Sequence, residues 1–341
     1  MAILFHPTKL KDITIPNRIV MPPMCQYMAE KDGKATNWHK VHYGSRAVGQ
    51  SGFIILEATA VEARGRITDH DLGLWNDGQT QSLKEIVDFG HAQGSVMGIQ
   101  LAHAGRKAEI KDTESVIAPS AIPFDERWVT PKEMTEKEIK EVIQAFADAA
   151  RRADEAGFDL IELHGAHGYM IHEFLSPLSN QRKDEYGESR EGRVKFLQET
   201  LQAVKAVWPS HKIISLRVSA TDYAEDGIDL QEIIEILKLI KGSGVDVIHV
   251  SSGGLVPAKI NIGIGYQVKF AERIKVEVGL PVIAVGLISE PELVEEILFN
   301  ERADFVALGR ELLRDPYWPL HAAKKLNHDL KWPTPYERAK R

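Results

Sequence analysis

Two histidines and a tyrosine lie within one short segment, Glu162-Leu163-His164-Gly165-Ala166-His167-Gly168-Tyr169. Two imidazole N–H groups can donate hydrogen bonds to one substrate oxygen, and a phenol with an ordinary pKa of about 10 keeps its proton at neutral pH. The His-x-x-His spacing is also compatible with a metal site. The segment is too polar and too rich in glycine to serve only as packing in the hydrophobic core, so a functional role is favoured. Both oxygen binding and metal binding remain possible roles for the histidines.

A metal-dependent hydrolase would use His103, His164 and His167 as ligands. The chain has no His-Glu-x-x-His motif and no His-x-His in its first candidate strand, and Cys25 is its only cysteine. One cysteine cannot form an internal disulfide, which agrees with a reducing cytoplasm. Nor can it ligate an iron–sulfur cluster, which argues against the enzymes that carry such a cluster.

Eight short runs of β-branched or apolar residues could position these side chains. They are Arg18–Met24, Phe53–Thr59, Val96–Ala102, Leu160–His164, Ile213–Ser219, Val247–Ser251, Pro281–Gly286 and Phe305–Gly309.

Helical patterns separate several of these runs. From Thr135 to Ala156 the apolar residues share one helix face, with a capping box at Thr135 and Glu138 and Gly157 after the end. Ser289 and Glu292 have the same capping spacing.

Apolar strands that alternate with amphipathic helices predict a parallel α/β sheet, and eight such units predict a closed (β/α)₈ TIM barrel. An open doubly wound sheet is the alternative, although no G-x-G-x-x-G motif supports its dinucleotide-binding form. We expect one domain over residues 1–341, with a tail at 331–341 and long active-site loops after strands 3 and 4, at Ala104–Lys132 and Met170–Arg193.

In such a barrel the active site lies at the carboxyl ends of the strands. The glycine at the end of the seventh candidate strand, Gly286, and the pair Gly309-Arg310 after the eighth match the usual phosphate site of the fold. Arg217, inside the fifth strand, would lie in the barrel mouth. Together these residues predict a bound anion that carries one phosphate.

The charge and hydropathy of the sequence indicate that its binding partners are small molecules. The net charge is −7, the isoelectric point is near 6.0, and no run of five like charges occurs, so a nucleic-acid or anionic-membrane partner is not expected. No apolar stretch approaches the roughly 20 residues of a membrane span. The first residues lack the pattern of a secretory signal, and we expect a cytoplasmic location.

Several motifs together resemble the Old Yellow Enzyme family, and in particular its bacterial NADPH dehydrogenase branch. The motifs are Pro22-Pro23-Met24-Cys25-x-Tyr27, Gly65-Arg66-Ile67-Thr68, Gln100-Leu101-x-His103-Ala104-Gly105-Arg106-Lys107, His164-x-Ala166-His167-Gly168-Tyr169 with Phe174-Leu175-Ser176-Pro177, Asn180-x-Arg182-x-Asp184-x-Tyr186-Gly187, and Gly309-Arg310 with Asp315-Pro316. The resemblance runs essentially from end to end of the chain.

The resemblance implies an FMN-dependent ene-reductase that uses NADPH to reduce activated C=C bonds, in a role such as detoxification of foreign compounds. The implied FMN contacts, all non-covalent, are Pro22, Pro23, Met24, Cys25, Ala58, Gln100, Arg217, Ser251, Gly286, Gly309 and Arg310.

The remaining implied roles concern the substrate. His164 and His167, helped by Tyr27, would hold the carbonyl or nitro oxygen, and Tyr169 would be the proton donor. Cys25 would adjust the flavin potential. The resemblance also implies a homodimer or homotetramer in which Arg338, on the tail, reaches the neighbouring active site.

Overall fold

Eight parallel strands close into a barrel in the computed structural model, which describes residues 2–110 and 112–340. The strands are β1 (Ile19–Met21), β2 (Phe53–Ala60), β3 (Val96–Ala102), β4 (Leu160–Gly165), β5 (Ile213–Ser219), β6 (Val247–Ser251), β7 (Val282–Ala284) and β8 (Phe305–Ala307). Each strand pairs with the next along the chain, and β8 pairs with β1 to complete the ring. The predicted TIM barrel is confirmed, and the alternative prediction of an open doubly wound sheet is wrong.

Helices cover the outside of this ring. They are α1 (Asn37–Val48), α2 (Asp77–Ala92), α3 (Glu136–Ala156), α4 (Met170–Leu175), α5 (Arg190–Val207), α6 (Leu230–Ile240), α7 (Val268–Val278), α8 (Pro291–Phe299), α9 (Gly309–Arg314) and α10 (Trp318–Lys325). Because helices cover one face and the barrel interior covers the other, every residue of the eight strands is buried. No helix among the described residues combines the length and apolar character that a membrane crossing needs.

A short antiparallel hairpin, Thr8–Leu10 with Ile13–Ile15, closes the amino end of the barrel. Its buried Leu10 and Ile15 pack into one apolar cluster with Phe53 of β2 and Phe305 of β8. The sequence patterns did not predict this hairpin, because two three-residue strands are too short to show alternation. It leaves the carboxyl end as the open end of the barrel.

Long connections lie at that open end. The segment between β3 and α3 contains only short helical turns and the two-residue strands Ile117–Ala118 and Lys132–Glu133. The segment after β4 is partly helical, since it contains α4, and α5 already begins at Arg190; the predicted loop over Met170–Arg193 was wrong in that respect. A third long connection, Ser252 to Gln267 after β6, was not predicted.

The amino-terminal ends of α3 and α8 can be compared with the two predicted capping boxes. At α3 both halves of the capping box form, because Thr135 Oγ1 accepts from the Glu138 amide at 3.3 Å and Glu138 Oε2 accepts from the Thr135 amide at 2.8 Å. Gly157 ends this helix with φ +94°. The prediction at Ser289 was wrong: Glu290 precedes α8, and Pro291 begins it because a proline needs no hydrogen-bond acceptor at the first turn.

We expect Thr135→Ala to lower the free energy of unfolding by about 1 kcal/mol, because the α3 amide would lose its acceptor. In a chain of this size that is a decrease of about 2 °C in the thermal midpoint, measurable by circular dichroism. Thr135→Ser, which keeps the hydroxyl, is the control. Equal midpoints for the Ala and Ser variants would contradict the role of the cap.

Candidate active site

A buried arginine lies inside the barrel mouth without a direct ion pair among the described residues. Arg217, on β5, is only 8% exposed, and its side chain makes no hydrogen bond or salt bridge within the described residues. Its Nε is buried without a partner. Burial lowers the pKa of the guanidinium, but an arginine stays charged in proteins. A buried charge that is unpaired is costly, so the arrangement favours an anionic or strongly polar ligand beside it.

The same arginine lines a cavity of about 400 Å³ that extends to the ends of β7 and β8. Ser251, Gly286, Gly309 and Arg310 also line this cavity. Gly286 has φ +138°, and a Cβ there would come within 3.2 Å of the Gln267 amide nitrogen, so a side chain would both strain the backbone and narrow the cavity. Arg310 is exposed and has no ion pair among the described residues. The cavity therefore has a cation at each end, Arg217 and Arg310, an arrangement that suits an anionic ligand.

The two histidines and Tyr169 form one aromatic cluster beside this cavity. The His164 ring centroid lies 5.2 Å from that of His167 and 4.9 Å from that of Tyr169, both nearly edge to face. His164 Nδ1 accepts the Ala166 amide at 3.3 Å, which leaves the proton on Nε2. His167 Nε2 lies 2.7 Å from Ser251 Oγ. The structure thus brings together the three residues that the sequence singled out first.

Both imidazoles are neutral. Burial lowers the pKa of His164 and of His167 well below its ordinary value, and the charge of Arg217 lowers each further. Burial also raises the pKa of the Tyr169 phenol, with Cys25 and Tyr27 adding to the effect. At neutral pH the cluster therefore offers neutral N–H donors and a protonated phenol.

The loop that carries the cluster is conformationally strained. His167 and Gly168 are consecutive residues with positive φ, +61° and +75°. Lys107 holds this turn by donating to the carbonyl oxygens of His167 at 3.0 Å and Gly254 at 3.1 Å. Its Nζ also lies 5.2 Å from the centroid of the Tyr169 ring. Hydrogen bonds from Lys107 and from Ser219 Oγ, which accepts the His167 amide at 3.0 Å, hold this conformation.

The segment after β1 forms another wall. Cys25 packs in the same apolar cluster as Ala58 and Tyr169, and Tyr27 is half exposed. Burial, and then the nearby Asp71 and Glu57 carboxylates, raise the pKa of the Cys25 thiol to about 12. The thiol is therefore protonated, which does not suit a nucleophile.

A bulge in β2 supports this segment. The register between β2 and β3 shifts between Leu56 and Ala58, so Glu57 is the extra residue. Its carboxylate accepts the Gln26 amide at 2.7 Å and the Tyr43 hydroxyl at 2.9 Å. The sequence contained no signal for this bulge.

Gln100 lies deeper in the barrel. It is buried, and its Nε2 donates to Glu162 Oε1 at 2.8 Å. Pro22 and Pro23 are buried after β1, and Met24 is half-buried. Pro22 and Met24 approach the cavity at Gly309, where a Cβ would lie 3.8 Å from Pro22 Cγ and 3.7 Å from Met24 Sδ.

His103 does not join the two histidines of β4. Its Nε2 pairs with Glu62 Oε1 at 2.9 Å, and its Nδ1 accepts the Gly105 amide at 3.0 Å. Over residues 2–110 and 112–340, no group of three or more His, Cys, Asp or Glu side chains is arranged to hold a metal. The geometry does not favour the metal-dependent hydrolase.

The tail lies at the opposite end of the barrel from the site. The segment from Lys331 to Pro335 lines a groove with Gln50 and Gln93, which precede β2 and β3. Arg338 follows in a 3₁₀ helix, Thr334–Ala339, and is exposed. The chain's own Arg338 is therefore not part of its own site.

Some residues of the cavity were missed by the sequence analysis. They include Tyr266, Gln267, Leu287 and Arg314. Arg314 follows Arg310 by four residues, a spacing that places both on one face of α9 and could have revealed it. The others sit on connections without periodicity.

The model of the NADH:flavin oxidoreductase / NADH oxidase family matches residues 3–329. The chain belongs to this family. It is 53% identical over 338 residues to an NADPH dehydrogenase of Geobacillus thermodenitrificans, covering 99% of this chain and 98% of the relative. It is 53% identical over 336 residues to an NADPH dehydrogenase of Bacillus subtilis, covering 98% of each.

Solved structures agree with these relatives. Morphinone reductase in complex with tetrahydroNAD has a TM-score of 0.81 and 26% identity, covering 97% of this chain and 93% of that one. The resemblance to the Old Yellow Enzyme family is confirmed. The chain is an NADPH dehydrogenase that uses FMN, as predicted.

The cavity fits FMN on its own geometry. Arg217 supplies an unpaired buried cation for the polar edge of a flavin, and Gly286 with Arg310 leaves room and charge for the phosphate. We propose the eleven contacts implied by the resemblance, from Pro22 to Arg310, as the residues that hold it.

We expect Arg217→Met to weaken FMN binding by the apoprotein at least ~tenfold, because a charge-assisted contact is lost. Apoprotein stability should change little, since the variant removes a buried charge that makes no hydrogen bond but also the attraction between that charge and Glu162. Fluorescence titration with FMN and a thermal melt of the apoprotein measure the two effects, with Arg217→Lys as the charge-retaining control. Wild-type affinity in the Met variant would exclude the contact.

Proposed function

We propose that this NADPH dehydrogenase reduces the activated C=C bond of α,β-unsaturated aldehydes and ketones, and also accepts nitro compounds and quinones. The observation that carries the proposal is the cluster of two neutral imidazoles and a protonated phenol beside the Arg217 cavity. All of these substrates present an oxygen that becomes more negative as the reaction proceeds. A role in removing reactive foreign compounds follows from that substrate range.

His164 and His167 hold the substrate oxygen in this proposal. Reduction at the β-carbon builds negative charge on the carbonyl oxygen, and N–H donors fixed at about 3 Å stabilise that charge in the transition state. His164 offers Nε2–H, because its Nδ1 is occupied by the Ala166 amide. The Ser251 hydroxyl can donate to His167 Nε2, which places that ring's proton on Nδ1. Tyr27, from the β1 side, adds a third donor.

Tyr169 gives the proton to the α-carbon. FMN, when bound, supplies the hydride, and the protein supplies placement and electrostatics. The high pKa of the phenol keeps its proton in place until a strongly basic carbon forms next to it. The cations Lys107 and Arg217 then favour the phenolate that remains.

NADPH occupies the same pocket as the alkene, and the two bind in turn. The chain has no G-x-G-x-x-G motif for a separate dinucleotide site. The tetrahydroNAD complex of morphinone reductase supports a nicotinamide cofactor bound by this kind of barrel. Cys25, protonated and packed near Ala58, adjusts the flavin potential and does not attack substrate.

Tyr169→Phe tests the proton donor and the reaction class together. We expect bleaching of the flavin absorbance near ~450 nm by NADPH to keep its wild-type rate under anaerobic conditions. Return of the absorbance with 2-cyclohexenone should slow at least ~100-fold, the usual contribution of a positioned acid. Stopped-flow absorbance measures both half-reactions in one variant. An equal loss in both would refute the donor role, and a wild-type protein that bleaches but never recovers with the enone would refute the substrate class.

We further propose a dimer or tetramer in which Arg338 completes the neighbouring active site. Its exposed position on a tail docked away from its own site supports this arrangement.

Arg338→Ala should raise KM for 2-cyclohexenone at least ~tenfold through loss of a charged contact. Lys331→Ala, an exposed cation of the same tail, is the matched control. Co-expression of Arg338→Ala with Tyr169→Phe subunits should restore activity in mixed assemblies, because an intact tail then meets an intact Tyr169. Mixed assemblies no more active than the sum of the two variants would show that the tail acts within its own subunit.

A further inference from the structure

A carboxylate lies at the centre of the barrel, below the proposed flavin contacts. Glu162 of β4 has no exposed surface, and three side chains donate to it: Gln100 Nε2 at 2.8 Å, Ser215 Oγ at 2.9 Å and His249 Nδ1 at 2.9 Å. The donors come from β3, β5 and β6. None of the steps proposed above uses Glu162 or His249.

Strand register places this network directly under the arginine of the barrel mouth. Gln100, Glu162 and Ser215 are neighbours in register on β3, β4 and β5. Arg217 lies two residues further toward the carboxyl end of β5, and alternate residues of a strand share a face. The carboxylate and the guanidinium therefore occupy successive layers of the same barrel interior.

The carboxylate is ionised. Burial alone would raise the pKa of Glu162, but the partners His249 and Arg217 and the hydrogen bonds bring this pKa below its ordinary value. Burial, reinforced by the charge of Arg217, lowers the pKa of His249 despite the nearby carboxylate. His249 Nε2 is buried without a partner, so a proton there would be an unsatisfied donor, and the neutral ring that donates through Nδ1 is favoured.

A barrel can fill its interior with apolar side chains at a lower cost than with a buried ion. The network is thus better explained by its effect on Gln100 and on Arg217, which lies nearer the barrel mouth. Two effects follow from the geometry. Gln100 Nε2 is committed to Glu162, which leaves the amide oxygen to accept a hydrogen bond from a ligand. The negative charge of Glu162 is the largest electrostatic influence opposing the burial of Arg217.

We propose that Glu162, held by Ser215 and His249, is a positioning residue that sets the reduction potential of the bound FMN. It fixes the amide of Gln100 and offsets part of the positive charge that Arg217 presents to the flavin. Reduced FMN carries negative charge. If the negative charge of Glu162 were removed, Arg217 would therefore stabilise the reduced form more strongly. The inference rests on the proposed contacts of Gln100 and Arg217 with FMN.

Glu162→Gln removes the charge and keeps the shape. Gln100 can still donate to the new amide oxygen, and His249 can change tautomer to accept from the new amide group, at the cost of an unpaired Nε2–H. We expect the ratio of reduced to oxidised FMN at fixed potential to rise at least ~tenfold, which is about 30 mV for a two-electron couple. Anaerobic reduction of the FMN-loaded protein against a reference dye measures the shift, with FMN stoichiometry and circular dichroism as checks of folding.

His249→Asn is the matched control, because its amide can donate to Glu162 from nearly the same position and the carboxylate keeps its charge. Its reduced-to-oxidised ratio should stay within ~threefold of wild type, about 14 mV. A folded Glu162→Gln protein with an unchanged ratio would overturn the proposal. So would an equally large shift in His249→Asn, since the effect would then be disruption of packing.

Ser215→Ala keeps the proposal testable if Glu162→Gln does not fold. This variant removes one hydrogen-bond donor to the Glu162 carboxylate and leaves its negative charge in place. The ratio of reduced to oxidised FMN should therefore fall at least ~twofold, which is about 9 mV. A shift toward the reduced form, or none, would overturn the proposal. Because these are equilibrium measurements on FMN without any alkene, they would stand even if the proposed substrate class failed.

Discussion

The buried charge of Arg217 inside the barrel is the constraint on which the rest of the site depends. A buried guanidinium that makes no hydrogen bond is unfavourable even with the Glu162 carboxylate below it, and this cost favours a ligand with negative or strongly polar edges. The cavity that runs from this arginine to Arg310 has the shape and the charge for such a ligand. Membership of an FMN oxidoreductase family then gives the ligand its identity.

The same charge determines the protonation of its neighbours. Together with burial, it keeps His164 and His167 neutral, so that each ring retains one N–H to donate and one nitrogen to accept. A cationic imidazole would be a stronger donor, but it would add a second unpaired charge to a site that already carries one. Neutral donors therefore suit the proposed binding of a substrate oxygen without adding a further buried charge.

The sequence predicted the elements with strong periodic signals. All eight strands were found, with boundaries that matched at β3, β5 and β6, and the capping box of α3 was correct. Short or aperiodic features were missed, such as the amino-terminal hairpin and the connection after β6. The sequence motifs predicted which residues lie together at the carboxyl ends of the strands, such as His164, His167 and Tyr169.

Contacts across the barrel could not be predicted in the same way. Glu162 is adjacent in sequence to a recognised motif, yet its partners Ser215 and His249 are 53 and 87 residues away. Only strand register brings them together. The support of Gln26 by Glu57 likewise depends on a bulge, which leaves no periodic trace in the sequence.

The hairpin that seals the amino end of the barrel has a kinetic consequence. Since Leu10 and Ile15 pack against the amino end of the barrel, we expect both the reductant and the oxidant to enter the pocket from its carboxyl end. A compound that lingers at that entrance competes with both partners at once. Under the proposed reaction, excess alkene should therefore slow turnover by occupying the pocket before NADPH does, so the enzyme would work fastest at intermediate alkene concentrations.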